Sequence, residues 1–215
     1  MNILALEGAL GSFSCALLAD GGEDSEQVDG RLALEEGMMP VPRLLHRAGI
    51  APDQLDRIAV GCGPGAFTGM RIAISYAKSL AQGWRLPLVA LSSFDIITGK
   101  ESALPLLTVV QSRSGFISGR LRTAAGERRA SGALADAIGQ LLPQPEGCVT
   151  VVNPPEELLA ALRERAIDVR IVTDQTSPPA LSLARLARCA VPAKSLHEVR
   201  ADYGELPPAK IPRLP

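Results

Sequence analysis

Short apolar runs alternate with polar, glycine-bearing breaks along the first hundred residues, and the length of each run decides what it becomes. Residues 3–6 and 12–18 are too short and too apolar for surface helices, so they read as strands joined across Glu7-Gly8-Ala9-Leu10-Gly11 into a hairpin. Gly21-Gly22-Glu23-Asp24-Ser25 reads as a polar turn, and a weaker third strand is expected over residues 27–34. Pro40 and Pro42 open a short helix that closes at Leu44-Leu45-His46-Arg47-Ala48, with Gly49 as its C-cap. A strand ending at Val60, a helix over residues 68–83, a buried strand over 86–91 and a helix from a Ser92 or Ser93 cap through Thr98 complete the first half.

Gly99-Lys100-Glu101-Ser102-Ala103 is the best candidate boundary, because a second set of elements begins beyond it. Residues 104–111 and 115–122 form a hairpin across Ser112-Arg113-Ser114, and residues 149–152 and 169–172 are strands. Asn153-Pro154-Pro155-Glu156-Glu157 opens a helix with a cap residue, prolines at its start and acids in its first turn. Leu183, Ala184, Leu186, Ala187 and Ala190 give a last helix its buried face. The order of elements in the first half recurs in shorter form in the second, which predicts a duplicated α/β domain: residues 1–100, residues 101–190 and a proline-rich irregular tail over 191–215.

The helix over 68–83 is apolar over more of its circumference than packing on one sheet requires. Met70, Ala73, Ile74, Tyr76, Ala77, Leu80, Ala81 and Trp84 cover an arc of about 160°, with Arg71, Ser75, Lys78, Ser79 and Gln82 opposite. Ala73, Ala77 and Ala81 form a row of small side chains along which another helix can approach closely. Two readings follow, a helix wedged inside its own domain and a helix at a subunit interface. The second predicts that Ala77→Trp abolishes partner binding while the isolated chain stays folded.

Between that helix and its preceding strand lies Gly61-Cys62-Gly63-Pro64-Gly65-Ala66-Phe67-Thr68-Gly69-Met70-Arg71. A turn so rich in glycine serves either to hold a phosphate or to pack tightly against another backbone. A P-loop needs lysine after its last glycine, and Gly69 is followed by Met70-Arg71. A dinucleotide fingerprint needs a third glycine where Ala66 and Thr68 stand.

Composition narrows the function classes. A net charge of -1 gives no electrostatic footprint for free-standing nucleic-acid binding. Cys15, Cys62, Cys148 and Cys189 are widely separated, and with only His46 and His197 beside them they make no zinc pattern; reduced, mostly buried thiols are expected. The N-terminus lacks a signal-peptide pattern and no apolar run reaches the length of a membrane span, so a soluble cytoplasmic chain is expected. A metallopeptidase would want a paired-histidine motif, and a serine peptidase a Gly-x-Ser-x-Gly elbow with a base; neither is present in the sequence.

Gly63-Pro64-Gly65-Ala66-Phe67-Thr68-Gly69-Met70-Arg71-Ile72 resembles the Gly-Pro-Gly-Ser-Phe-Thr-Gly-x-Arg signature of the TsaB (YeaZ) family, departing in its core only by Ala66 for serine. Ile3-Leu4-Ala5-Leu6 is similar to that family's opening strand, Leu44-Leu45 with Ala48-Gly49 to its first helix, and Leu80-Ala81 with Leu86-Pro87 to the segment after the signature. The resemblance implies an actin/Hsp70-like (ASKHA) fold with duplicated βββαβα domains, the second reduced. It implies a non-catalytic subunit that dimerises with the catalytic TsaD subunit, joined by the TsaE ATPase, for transfer of the threonylcarbamoyl group to the N6 of adenosine in tRNA. ATP would be used by the complex, tRNA met only through the complex, and self-pairing expected of the isolated chain.

On that resemblance the partner-binding residues are Gly63, Pro64, Gly65, Phe67, Thr68, Met70, Arg71, Ala73, Ile74, Ala77, Leu80 and Ala81. Phe67 and Thr68 would cap and anchor the helix, and Arg71 would make a polar contact beside the seam. The nucleotide-facing positions would be Glu7 and Arg113, where the chain departs from the family pattern: Glu7-Gly8 replaces Asp-Thr and Gln111-Ser112-Arg113 replaces Asp-Ala-Arg. An actin-type small-molecule kinase is the alternative from the enzyme class, and it would need the acids altered here.

Overall fold

The computed structural model describes residues 1–143, 147–173 and 177–204. Two five-stranded mixed sheets carry the chain. The first contains β1 (Ile3–Glu7), β2 (Phe13–Ala19), β3 (Gly22–Val28), β4 (Arg57–Gly61) and β5 (Leu88–Leu91) in the order β3-β2-β1-β4-β5. The second contains β6 (Leu106–Arg113), β7 (Phe116–Thr123), β8 (Gly126–Ala133), β9 (Val149–Val152) and β10 (Val169–Val172) in the equivalent order β8-β7-β6-β9-β10. In each, an antiparallel meander is followed by strands parallel to its first member. Strands joined in parallel need crossover helices. These are α3 (Phe67–Trp84) between β4 and β5, and α6 (Glu156–Glu164) between β9 and β10. The duplication predicted from element order is therefore present.

β1 is apolar at every position but its last because both faces of the first sheet are covered. Leu4 and Leu6 face one way, packing with α2 (Pro40–Ala48) and α3 through Leu44, Met70, Ala73 and Ala77. Ile3 and Ala5 face the other way, against Ala180, Leu183, Ala184 and Ala187 of α7 (Pro179–Ala187). Residues 179–187, expected in the C-terminal domain, thus pack on the first sheet. The second sheet keeps α5 (Leu134–Leu141) and α6 on one face, over Leu107, Val109, Leu121 and Val151.

Its other face meets α4 (Ser93–Thr98), whose N-cap Ser92 accepts from the Phe94 amide. Arg120 of β7 donates to Asp95 at 2.6 Å and to Thr98 at 3.4 Å, and Thr98 shares a 3.0 Å hydrogen bond with Thr108 of β6. These contacts tie the two halves together.

Four expectations are corrected. β3 begins at Gly22 rather than 27, because Asp20-Gly21 closes a two-residue turn that pairs Ala19 with Gly22. It is a polar edge strand whose acids are held by arginines, Glu26 by Arg43 and Arg47, Asp24 by Arg47 and Glu23 by Arg185. Residues 30–34, expected as the end of that strand, instead belong to a 3₁₀ turn (Gly30–Leu32) and the start of the short helix α1 (Ala33–Glu36). The cap of α6 is Pro155, with no side-chain hydrogen bond, so Asn153 is not its cap. The free thiols, expected to be mostly buried, divide evenly: Cys15 and Cys62 are buried, while Cys148 and Cys189 are exposed. The tail over 191–204 is irregular but packed: Val199 is buried, the Ala193 amide donates to Leu88 O and the Asp202 amide to Cys62 O. The tail's remainder, 205–215, lies outside the described residues.

Candidate functional site

The glycine-rich turn leaves the end of β4 and reaches α3 through a path that protein atoms enclose. Gly63 has φ +91°, and a Cβ there would run into the Asp202 carbonyl oxygen and the Met70 sulfur. At Gly65, φ +152°, a Cβ would meet the Ala9 carbonyl oxygen, which already accepts the Ala66 amide at 2.7 Å. Gly8 and Gly69 approach so closely that a Cβ on either would strike the other's carbonyl oxygen. The Gly63 carbonyl accepts the Ser93 amide at 2.7 Å. Of the two uses of such a turn, this one is tight packing against backbone, with the β1–β2 turn on one side and the tail on the other.

Glu7 ends β1 beside this junction and is fully buried. Its Oε1 accepts the Ala9 amide at 2.7 Å and its Oε2 the Leu10 amide at 3.1 Å. Burial pushes its carboxyl up to about 7, against the opposing pull of those backbone N–H groups. A Cβ on Gly61 would lie 2.8 Å from Oε1, so the strand next door must be bare there. Arg113 is on the exposed β6–β7 hairpin, its guanidinium 3.7 Å from the centre of the Phe116 ring. The first turns of the two halves do share a cleft of about 320 Å³, where Gly8 and Gly11 lie across from Ser112. The residues present do not fit a metal-bound phosphate in it: Glu7 is turned inward onto its own loop, Arg113 does not line the cleft, the acid and base that do line it, Asp29 and Arg31, are paired with each other at 3.0 Å, and no group of three or more metal-ligating side chains occurs among the described residues.

The exposed side of α3 is where the surface becomes apolar. Phe67 is 54% exposed, and a groove of about 640 Å³ runs from it along Ile72 and Tyr76 to Leu34 of α1 and Met38 in the loop that follows. Leu34, Met38 and Met39 are all largely exposed, and the Tyr76 hydroxyl, donating to Met38 O at 3.2 Å, ties that loop to the helix. Contiguous exposed apolar side chains of this size mark interaction surfaces. At the groove's end Tyr203 from the tail stacks on Phe67 with centroids 4.8 Å apart, and the Arg71 guanidinium lies 4.7 Å from the Phe67 centroid.

The sequence-predicted residues divide between surface and core. Phe67, Thr68 and Arg71 are exposed, Gly63, Pro64 and Gly65 build the turn, and Leu80 is half-buried. Met70, Ala73, Ile74, Ala77 and Ala81 are in the protein's own core, because the alanine row lets α3 settle on its own sheet. Ala77→Trp is therefore a core-breaking change and cannot isolate an interface. Thr68 lies in the first turn rather than at the cap, which is Ala66 without a side-chain hydrogen bond. The groove takes in Leu34, Met38 and Ile72, with Met39 and Tyr203 beside it, none of which the sequence singled out. The available signal was the apolar Leu34-x-x-x-Met38-Met39 spacing, obscured by reading residues 27–34 as a strand.

Two duplicated halves, each a three-stranded meander followed by helix, strand and helix, with a cleft between their first turns, define the actin/Hsp70-like class of α/β protein. Residues 33–164, more than half of the chain, match the family model for TsaD: tRNA N6-adenosine threonylcarbamoyltransferase. The chain is 31% identical over 122 residues to the tRNA threonylcarbamoyladenosine biosynthesis protein TsaB of Escherichia coli (strain K12), over 54% of this chain and 53% of that one. It is 32% identical over 99 residues to TsaB of Bacillus subtilis (strain 168), over 45% and 43%. It spans about half the length of these curated relatives. A solved Pseudomonas aeruginosa protein described as similar to peptidase YEAZ superposes with a TM-score of 0.70 at 25% identity, over 95% of this chain and 99% of that one. The chain belongs to this family, in its TsaB (YeaZ) branch. Among the described residues no helix is long and apolar enough to cross a membrane.

Proposed function

We propose that this chain is a non-catalytic subunit of tRNA threonylcarbamoyladenosine synthesis, pairing with a TsaD-type catalytic subunit through the exposed face of α3. The observation that carries this reading is the apolar groove between α1 and α3, an exposed surface in a chain whose Glu7 carboxylate, at the end of β1, is buried and committed to its own backbone. The family membership and the names of the relatives supply the pathway. The transferase acts on tRNA, and an ATPase of the TsaE type consumes ATP, so this chain meets tRNA and nucleotide only through the assembled complex. Its contribution is to hold the catalytic subunit in an active arrangement. The kinase alternative is disfavoured by Glu7, which would have to leave two backbone amides and its buried site to reach a metal-bound phosphate.

Depletion and restoration of the chain in its source organism, with nucleoside mass spectrometry of total tRNA, tests the pathway. Threonylcarbamoyladenosine is expected to fall and then recover. Restoration with Met38→Asp, which puts a charge in the groove and leaves the core untouched, is expected to fail. An unchanged modification level on depletion refutes the assignment.

A further inference from the structure

We infer that the flank of α3 away from the apolar groove is a carboxylate-accepting subsite, so that the partner seated on this helix brings acidic side chains alongside its apolar ones. This rests on the docking reading above and adds the partner's chemistry. A second cleft, of about 370 Å³, runs between α3 and the packed tail. Its charged lining is cationic, Arg71 and Lys78 from the helix and Arg200 from the tail, with no carboxylate among its residues.

The neighbouring acids are engaged elsewhere. Asp202 accepts the Gly204 amide at 2.8 Å and faces Arg129 at 4.0 Å, and Glu198 accepts the Lys194 amide at 3.1 Å. Among the described residues none of the three cations is in an ion pair. Arg71 lies over Phe67, and Arg200 makes only a long 3.4 Å bond to His197 O. Three unneutralised cations in one cleft of a chain with net charge -1 are a local excess that an anionic partner surface complements.

The two clefts share Arg71 and Ser75, which form a ridge between them. A partner element laid across that ridge fills the apolar groove with one face and sets carboxylates on the cations with the other. The large apolar groove alongside favours a protein over a nucleic-acid backbone as the occupant, because phosphates gain nothing from Leu34, Met38 and Ile72.

The test is the affinity of the full chain for the TsaD-type subunit of the same organism, by calorimetry at about 50 mM and about 500 mM salt. The wild type is expected to weaken with salt. Lys78→Glu with Arg200→Glu is expected to bind about tenfold more weakly at low salt with a flattened salt dependence, while its thermal unfolding matches wild type. Lys78→Gln with Arg200→Gln should fall between. Met38→Asp should lose binding at both salts. Wild-type affinity and salt slope in the doubly reversed variant overturn this inference and leave the docking proposal standing, provided Met38→Asp fails to bind. No binding by the wild type overturns the docking proposal itself. A reversal that changes only self-association in sedimentation, or only retention of tRNA on filters, also overturns the inference, assigning the cations to a second copy or to RNA.

Discussion

Glu7→Gln isolates the buried carboxylate at the end of β1. In the folded chain Glu7 titrates near 7, and in the unfolded chain near its ordinary value of 4.5. Between those values the folded state retains a proton that the unfolded state has released, so stability falls as pH rises through this window. Below it both states are protonated and the contribution is fully present; above it both are ionised and the contribution is gone. A gap of about two and a half pH units at about 1.4 kcal/mol each amounts to about 3 kcal/mol over the whole window. Most of it is expressed between about pH 5 and about pH 8. Urea unfolding followed by circular dichroism at those two pH values, for wild type and for Glu7→Gln, gives the measurement. The wild type is expected to lose about 2–3 kcal/mol more than the variant on going from the lower to the higher pH. Subtracting the variant removes every other group that titrates in this range. Equal pH dependence in the two proteins, or a wild type that gains stability relative to Glu7→Gln as pH rises, refutes the account of Glu7 as a carboxylate dominated by desolvation.

Three further substitutions probe the junction around α3. Ala77→Trp forces an indole into a fully buried alanine site between helix and sheet, and should cost more than about 4 kcal/mol or prevent folding, visible as lost cooperativity in thermal unfolding. Gly63→Ala sets a Cβ against the Asp202 carbonyl at a left-handed φ and should destabilise by about 2–3 kcal/mol in urea unfolding, with the tail loosened in hydrogen exchange at the Asp202 amide. Tyr203→Ala removes the ring stacked on Phe67 and should cost about 1 kcal/mol. A stability unchanged from wild type would mean that the stack contributes nothing to holding the tail.

The elements that the sequence announced are those whose signals are local. Gly49 takes φ +64° and closes α2, Ser92 caps α4, and the apolar runs of β1, β2 and β4 are strands because both faces of their sheet are buried. The edge strand β3 was expected too late in the chain and β8 was not read at all, because an edge open to water needs no apolar alternation; Glu23, Asp24 and Glu26, or Glu127, Arg128 and Arg129, are polar throughout. The destination of α7 was illegible for another reason. Its apolar stripe is readable, but which of two equivalent sheets it covers is decided by the whole chain. The same holds for the site. The apolar arc read on α3 is mostly core, because Met70, Ala73, Ile74, Ala77 and Ala81 face the protein's own sheet, and of the residues in the exposed groove it contained only Tyr76; Phe67 and Ile72 lie outside it.

A glycine-rich turn before a helix is ambiguous in sequence because a phosphate and a neighbouring backbone both require the Cβ to be missing. The ambiguity is resolved here by what occupies the space. The missing Cβ atoms of Gly61, Gly63, Gly65 and Gly69 leave room for Glu7, for the tail at Asp202, for Ala9 and for Gly8 respectively. The first turn of β1–β2, the start of α3 and the tail are thereby interlocked through backbone contacts, with Tyr203 laid on Phe67 from outside. A helix anchored at its N-terminus on three sides presents Phe67, Arg71 and Ile72 in one fixed arrangement, so the docking proposed for it would lose little conformational entropy. Glycines of the kind a phosphate would require serve here to pack backbone against backbone and fix the apolar face around Phe67.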